Sequence, residues 1–591
     1  MLFPMYTVAA EVLLKMTEIR PHEELKVRGD LVIFDIDKGN ALFVSHQWVA
    51  EQHPDPEFRQ MSILQNVLRH LMTSSGSVPL DYVTETLVFR AKPLPMHVFQ
   101  SSPLFIWYDY FSCPQLEICD VRSMDGSVGS QQDTCIHSIS AYVEACRFFL
   151  ALCPVIDSPR EDKVFTARTW SCRGWCRMER AARELSVHDT WILVQSSASF
   201  ELVGTALSFP SASVGEGEFT VAADRDKLAP IVRSLLWRKL RLCLQKWELP
   251  AYRRLLNLQT VHLRGLAAEP IKDLVPGFSA NAVSGHSTAA ESFLRQNMLT
   301  TVSGADNAGW RPLHYAALSG NVDVVEGLLR LRANPNQRTL KDVPQLGLPL
   351  WMSPLDLAIF YKHNDAAQLI LAARAQPEGG FGPALQWASN ANNEEGARLL
   401  CSAGSSPFAR NLLGPSALDC AAAYGSMAAL EELLQHCQPT SLDASRALLS
   451  CSDGGRGASA EMVQRLIDLR ADVNFQQNLR RDWTLVGRVF MSAQAMKHRF
   501  GTKTVGSTRA YHASGSTPLM WALVSAQYEG AAALLAAGAR LDICNCRGWR
   551  AEDFVKGLSI PAFLQQGLEG DPSACRRVAC LALSDADVFQ I

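Results

Sequence analysis

A chain of 591 residues is too long for one hydrophobic core and predicts roughly three to five domain-sized units. With 48% hydrophobic and 19% charged residues it can bury a large core, which excludes global disorder. A formal net charge of −3 gives no electrostatic reason to expect nucleic acid or an acidic membrane surface as partner. The 16 cysteines follow no regular spacing and are read as reduced thiols of the cytoplasm, with the nucleus as the alternative. No stretch supplies about twenty clean apolar residues, so no membrane span is expected.

The first residues, MLFPMYTVAAEVLLKM, lack a basic leader and carry Glu11, so they predict an amphipathic helix rather than a signal peptide. LVIFDI (31–36) and ALFVS (41–45) read as strands, and SILQNVLRHLM as a helix. PLFIWYDYF (103–111) is a third strand and SISAYVEACRFFLAL (138–152) a helix. RGWCRMERAARELS is helical and TWILVQ is a strand. This alternation predicts an α/β domain with a mainly parallel sheet over residues 1–215. Ligands of such sheets sit beyond the carboxyl ends of the strands. The polar residues that follow the strands are therefore the ones of interest: Ser45, His46, Trp48, Asp109, Ser112 and Gln115.

Residues 216–290 predict a helical connector. Ile231, Leu235, Leu236, Leu240 and Leu244 form one apolar stripe, and 265–290 is rich in Gly, Ala, Pro and Ser. Beyond it, residues 306–336 read DNAGWRPLHYAALSGNVDVVEGLLRLRANPN. Pro312 opens a first helix, Gly320 ends it, and Val324, Val325, Leu328 and Leu329 offer a second helix for stacking. The segment resembles an ankyrin repeat almost position by position. Weaker copies begin at Ser353, Pro383, Ser416, Ser459 and Thr517, with insertions at 339–352 and 476–516. The resemblance implies an all-α ankyrin solenoid over 291–560, covered by a cap or tail at 561–591. It implies a protein partner, held at the hairpin tips by Asn307, Trp310, Asn336, Trp351 and Trp549. Packing on the next repeat is the alternative for Trp310.

Three segments of the first half, in order, resemble Toll/interleukin-1-receptor (TIR) domains. FVSHQW (43–48) resembles their opening strand and loop. FIWYDYFSCPQ resembles their second strand, and also the pattern of heterokaryon-incompatibility domains. RGWCRMERAARELS resembles the plant TIR segment whose glutamate matches Glu179. The loop after PLFIWYDYF lacks the usual glycine, and 134 positions separate Ser45 from Glu179, so long loops are expected near 73–102, 117–135 and 157–170. Some TIR domains cleave NAD, and the resemblance would make Glu179 the catalytic residue with Ser45, Trp48, Asp109 and Trp175 around the substrate. NAD is then a substrate; no cofactor and no metal site is expected, and no Walker, kinase or zinc-protease motif is present. The alternative for Glu179 is a surface carboxylate paired with Arg183. Two functions follow. One is a cytoplasmic interaction scaffold carrying a TIR-like signalling domain, which could also self-associate. The other is an NAD glycohydrolase localised or regulated by its repeats.

Overall fold

The computed structural model describes residues 1–115, 127–158, 162–204, 213–272, 274–275 and 289–588. The first part is an α/β domain around a seven-stranded sheet. Its strands are β1 (Tyr6–Ala9), β2 (Leu31–Ile33), β3 (Asn40–His46), β4 (Leu104–Trp107), β5 (Phe148–Leu152), β6 (Trp191–Val194) and β7 (Phe200–Val203), in the spatial order β7-β6-β5-β3-β4-β1-β2. The central β6, β5, β3 and β4 run parallel, with Leu42 beside both Ile106 and Phe148. Antiparallel strands flank them on both sides.

Both faces of this centre are covered, which is why β3 is apolar almost throughout. On one face Phe43 stacks on Trp107 (4.3 Å) and Phe149 (5.4 Å). Tyr142 of α2 (Ser127–Ala145) and Met178 and Ala182 of α3 (Gly174–Leu185) seal that layer. On the other, Leu42, Val44, Ile106 and Leu150 meet Leu64, Leu68 and Leu71 of α1 (Arg59–Thr73).

Four expectations are corrected here. Residues 138–152 are not one helix: α2 stops at Ala145, and FFLAL is β5, one of the four inner parallel strands. A run apolar on every side fits a strand buried on both faces as well as a buried helix. The N-terminal residues form β1 and a short turn of helix at Ala10–Leu13 instead of one amphipathic helix. LVIFDI contributes only the three-residue edge strand β2, with Ile33 56% exposed. The cysteines are not all thiols: Cys113 is bonded to Cys135, while thirteen others are free among the described residues.

The rest of the chain is helical. Pairs of short antiparallel helices follow one another from Pro312–Ser319 with Val322–Arg330 to Pro518–Val524 with Tyr528–Ala536. The first helices of successive pairs touch, and so do the second helices. Leu328 is fully buried between layers, and Leu329 packs at the margin. The segment after Thr440 supplies a complete pair, Ser441–Ser452 and Ala460–Asp468, where the sequence predicts only the second helix. The 476–516 insertion folds into helices at Leu479–Asp482, Leu485–Phe500 and Val505–His512.

Two helices join the halves. α4 (Asp224–Gln245) packs on α3, and α5 (Leu249–His262) packs on Pro312–Ser319. Much of the proposed linker, 273 and 276–288, lies outside the described residues. The connector and the α/β domain rest along the turns inside successive helix pairs: from the connector Thr260 donates to Ser319 O and Arg264 to Tyr361 O, and Glu201 of the α/β domain pairs with Arg456. Arg90 meets Asp342 in the 339–352 insertion, and Glu85 meets Thr504, Gly506 and Lys497 in the later one.

Candidate functional site

The first parallel strand, β3, has its successor β4 on one side and the next one, β5, on the other. That reversal lies at the carboxyl ends of β3 and β5, the usual ligand position in a doubly wound sheet. Ser45 and His46 end β3, and Asp109 opens the short helix Asp109–Ser112 after β4. The crossover after β5 brings Trp170, in the helix Ala167–Cys172, and Glu179, in α3. Thr166 caps the first of these helices. Gln47 donates to Thr166 O (3.0 Å) and Gln60 to Gln47 O (2.8 Å), so the loop after β3 is tied to both neighbours.

Two linked groups result. Ser45 Oγ donates to Glu179 Oε2 (2.5 Å) and accepts from Trp170 Nε1 (3.0 Å). His46 Nε2 lies 2.8 Å from Asp109 Oδ1, and Trp48 Nε1 donates to Asp109 Oδ2 (2.8 Å). The His46 ring stacks on Tyr108 at 4.0 Å.

The electrostatics divide the two carboxylates. Burial pushes the Glu179 carboxyl up to about 8; the Ser45 hydrogen bond opposes this and the negative charge of Asp109 adds to it. Asp109 goes the other way. Burial works against its charge, but the His46 cation and hydrogen bonds from His46, Trp48 and Tyr110 hold it below the ordinary range. His46 is correspondingly raised: burial disfavours its cation, and the pairing with Asp109 overcomes that. One acid kept neutral beside one kept ionised is the arrangement acid–base chemistry requires.

Glu179 is not paired with Arg183. That guanidinium donates to the carbonyls of Thr190, Cys146 and Arg147. Trp175 is not in the cluster either, because its Nε1 donates to Asp224 at the start of α4. Trp170 stands there instead. Both tryptophans lie in RTWSCRGWC, and the extended backbone of Arg173 decides which ring turns inward. Ser112 and Gln115 shape the loop after β4 through Tyr108 N and the carbonyls of Tyr110 and Cys113. The described residues hold no group of three or more His, Cys, Asp or Glu placed for a metal.

Of the residues expected at hairpin tips, Trp351 is 45% and Trp549 40% exposed, and Asn307 is exposed. Trp549 packs against His512 at 4.5 Å. Asn336 is exposed but bridges to Arg374 O and Gln376 N in the next pair. Trp310 is corrected: it is 1% exposed, wedged against Tyr315 and under Arg254, and has no free surface for a partner.

Comparison with known proteins places one part of this chain in a known class. Residues 308–340 match the ankyrin repeat. The chain therefore carries an ankyrin repeat, a class of module that supports protein–protein interaction. It is also similar to the human transient receptor potential cation channel subfamily A member 1, at 28% identity over 158 residues. That match covers 26% of this chain and 13% of the channel subunit, so the chain spans only a small fraction of its relative. No described helix is long and apolar enough to cross a membrane.

Proposed function

We propose that this protein is an ankyrin-repeat interaction protein with a TIR-like effector domain, and that the effector cleaves NAD at its nicotinamide–ribose bond. The contact that carries the catalytic half is Glu179 on Ser45 at the switch point of the sheet. Breaking the glycosidic bond sends its electron pair to the nicotinamide nitrogen, which leaves neutral, and builds positive charge on the ribose. A carboxylate at Glu179 stabilises that charge, and water adds to the ribose carbon and loses a proton. The cationic nicotinamide ring of a bound NAD favours ionisation of Glu179 as it arrives. Asp109, His46 and Trp48 form a fixed wall beside it. The test is incubation of the full chain with NAD, following free nicotinamide. Release that is abolished in Glu179→Gln but kept in Glu144→Gln, a distant carboxylate, supports the reading. No release from the native protein overturns it and leaves an adaptor that acts by self-association, read by sedimentation.

The helix pairs support a solenoid reading for 291–560, with helices at Ala562–Leu568 and Ser573–Val588 as the cap. The connector and α/β domain cover turns inside the pairs and touch Asp342 of the 339–352 insertion, while Trp351 and Asn307 stay exposed and offer a surface for a protein partner. A partner that binds the native chain and Glu179→Gln alike, but not Trp351→Glu, is the expected result. The thirteen free thiols favour a reducing compartment, cytoplasm or nucleus.

A further inference from the structure

The α/β domain and the turns of the helix pairs do not close fully on each other. A cavity of about 1010 Å³ remains between them, walled by α3, α4 and α5 on one side and by the turns at Tyr361, Asn392, Gly425, Gly457 and Ala526 on the other. It is distinct from the Glu179 cluster, none of whose members line it. Its volume matches a small-molecule site rather than a packing defect. Nine Lys or Arg side chains line it against five Asp or Glu. Three of those acids are engaged: Glu184 pairs with Arg180 (3.0 Å), Glu216 accepts from Ser213 N and Oγ (3.0 and 3.1 Å), and Glu529 accepts from Ala460 N (2.8 Å).

The cations are fixed from both walls. Arg177 donates to Ser171 O (2.6 Å) and Ser213 O (3.1 Å), and Arg264 to Tyr361 O (2.7 Å) across the gap. Lys362 projects from the opposite turn. Its backbone has φ 61°, the left-handed turn position that Gly320 (φ 67°), Asn392 (φ 49°), Gly425 (φ 65°) and Ala526 (φ 52°) fill in other pairs. A side chain costs backbone energy there relative to glycine. Lys362 keeps an exposed face. Its partial burial is still the largest influence on the ammonium, holding it below the ordinary lysine range, with Glu216 opposing this and the positive charges of Arg264 and Arg177 reinforcing it. Four of the nine cations already have a carboxylate partner: Arg168 with Glu461, Arg180 with Glu184, Arg264 with Glu216 (4.0 Å) and Arg456 with Glu201. With Arg177, Lys239, Lys246, Arg254 and Lys362, the positive charge around the open cavity still leaves a place for a counter-charge.

We propose that this cavity binds a small anion carrying two or more phosphate groups, held by Lys362 from the repeats and by Arg177 and Arg264 from the other wall. Guanidinium forks suit phosphate oxygens, and cations on opposite walls suit an anion with more than one charged end. Such a ligand ties the domain to the repeats, so it stabilises the joined state.

Inorganic tripolyphosphate is the probe, titrated into the full chain by calorimetry and by thermal unfolding, with orthophosphate as the single-phosphate comparison. We expect saturable tripolyphosphate binding that raises Tm and weakens with salt, and much weaker orthophosphate binding. Lys362→Gly removes the charge while relieving the left-handed turn, so the unliganded Tm should hold or rise. Its affinity for tripolyphosphate should fall about tenfold or more. Arg332→Gly makes the same exchange at an exposed left-handed position (φ 64°) away from the cavity and should bind as the native chain does. The proposal is overturned by no saturable binding, by orthophosphate binding as tightly, or by equal affinities in Lys362→Gly and the native protein. Equal weakening in both variants overturns it too. Should Lys362→Gly fail to fold, Lys362→Gln carries the same comparison.

Discussion

At alkaline pH, Glu179 must carry a charge that its surroundings disfavour. Its raised folded value means no penalty below the ordinary glutamate range, where the folded and unfolded carboxyls are both protonated. The penalty grows as pH rises and is complete above about 8. Glu179→Gln should therefore stabilise the fold by roughly 3–5 kcal/mol near pH 9 and by nothing near pH 4, as urea unfolding at the two pH values would show. If the carboxylate is the working form in the free protein, kcat/KM for NAD should rise with pH through about 8. His46 and Asp109 work oppositely. Their pairing stabilises the fold above the lowered Asp109 value and below the raised His46 value. In Asp109→Asn the main support of the His46 cation is lost and burial is opposed only by Glu179 and the Gln47 carbonyl, so its ring should titrate lower than in the native protein in an NMR pH titration.

Among the elements, the first helix pair gives the sharpest stability test. Leu328 is fully buried between neighbouring pairs, so Leu328→Ala should cost about 2–5 kcal/mol in denaturant unfolding. An unchanged midpoint would mean that the pair is registered differently. This element is legible in sequence because its turn, its left-handed Gly320 and its two apolar stripes each fall at fixed spacing. The residues at the strand ends are legible for a related reason. A β-rich run followed by Ser45, His46 and Trp48, or by Asp109, states where the strand stops. β5 is hidden because FFLAL continues the apolar run of α2, and only the buried sheet around it separates strand from helix. Trp170 is hidden because its partner, Ser45 Oγ, lies 125 positions earlier. The α/β domain's seat against the repeats joins distant segments, through Arg90, Glu85 and Glu201 and through Val83, Val155 and Val164 buried in the repeats' core, and such contacts leave no periodic trace.

At the scale of the molecule, the two halves should unfold together. Asp342, Glu201 and Glu85 each anchor a contact between the α/β domain and the helix pairs or their insertions. Replacing all three by Ala should split one calorimetric transition into two, and a single retained transition would show that apolar contacts suffice. A further contact spans the molecule: Arg577, in the helix Ser573–Val588, pairs with Asp157 (3.2 Å), and this helix packs on the strand Lys163–Phe165. The two partners are 420 positions apart. During synthesis at about 5–20 residues per second, Asp157 leaves the ribosome on the order of half a minute before the side chain that meets it exists. For that interval the paired strands Ile156–Ser158 and Lys163–Phe165 lack their covering helix, which leaves them open to chaperones and proteases.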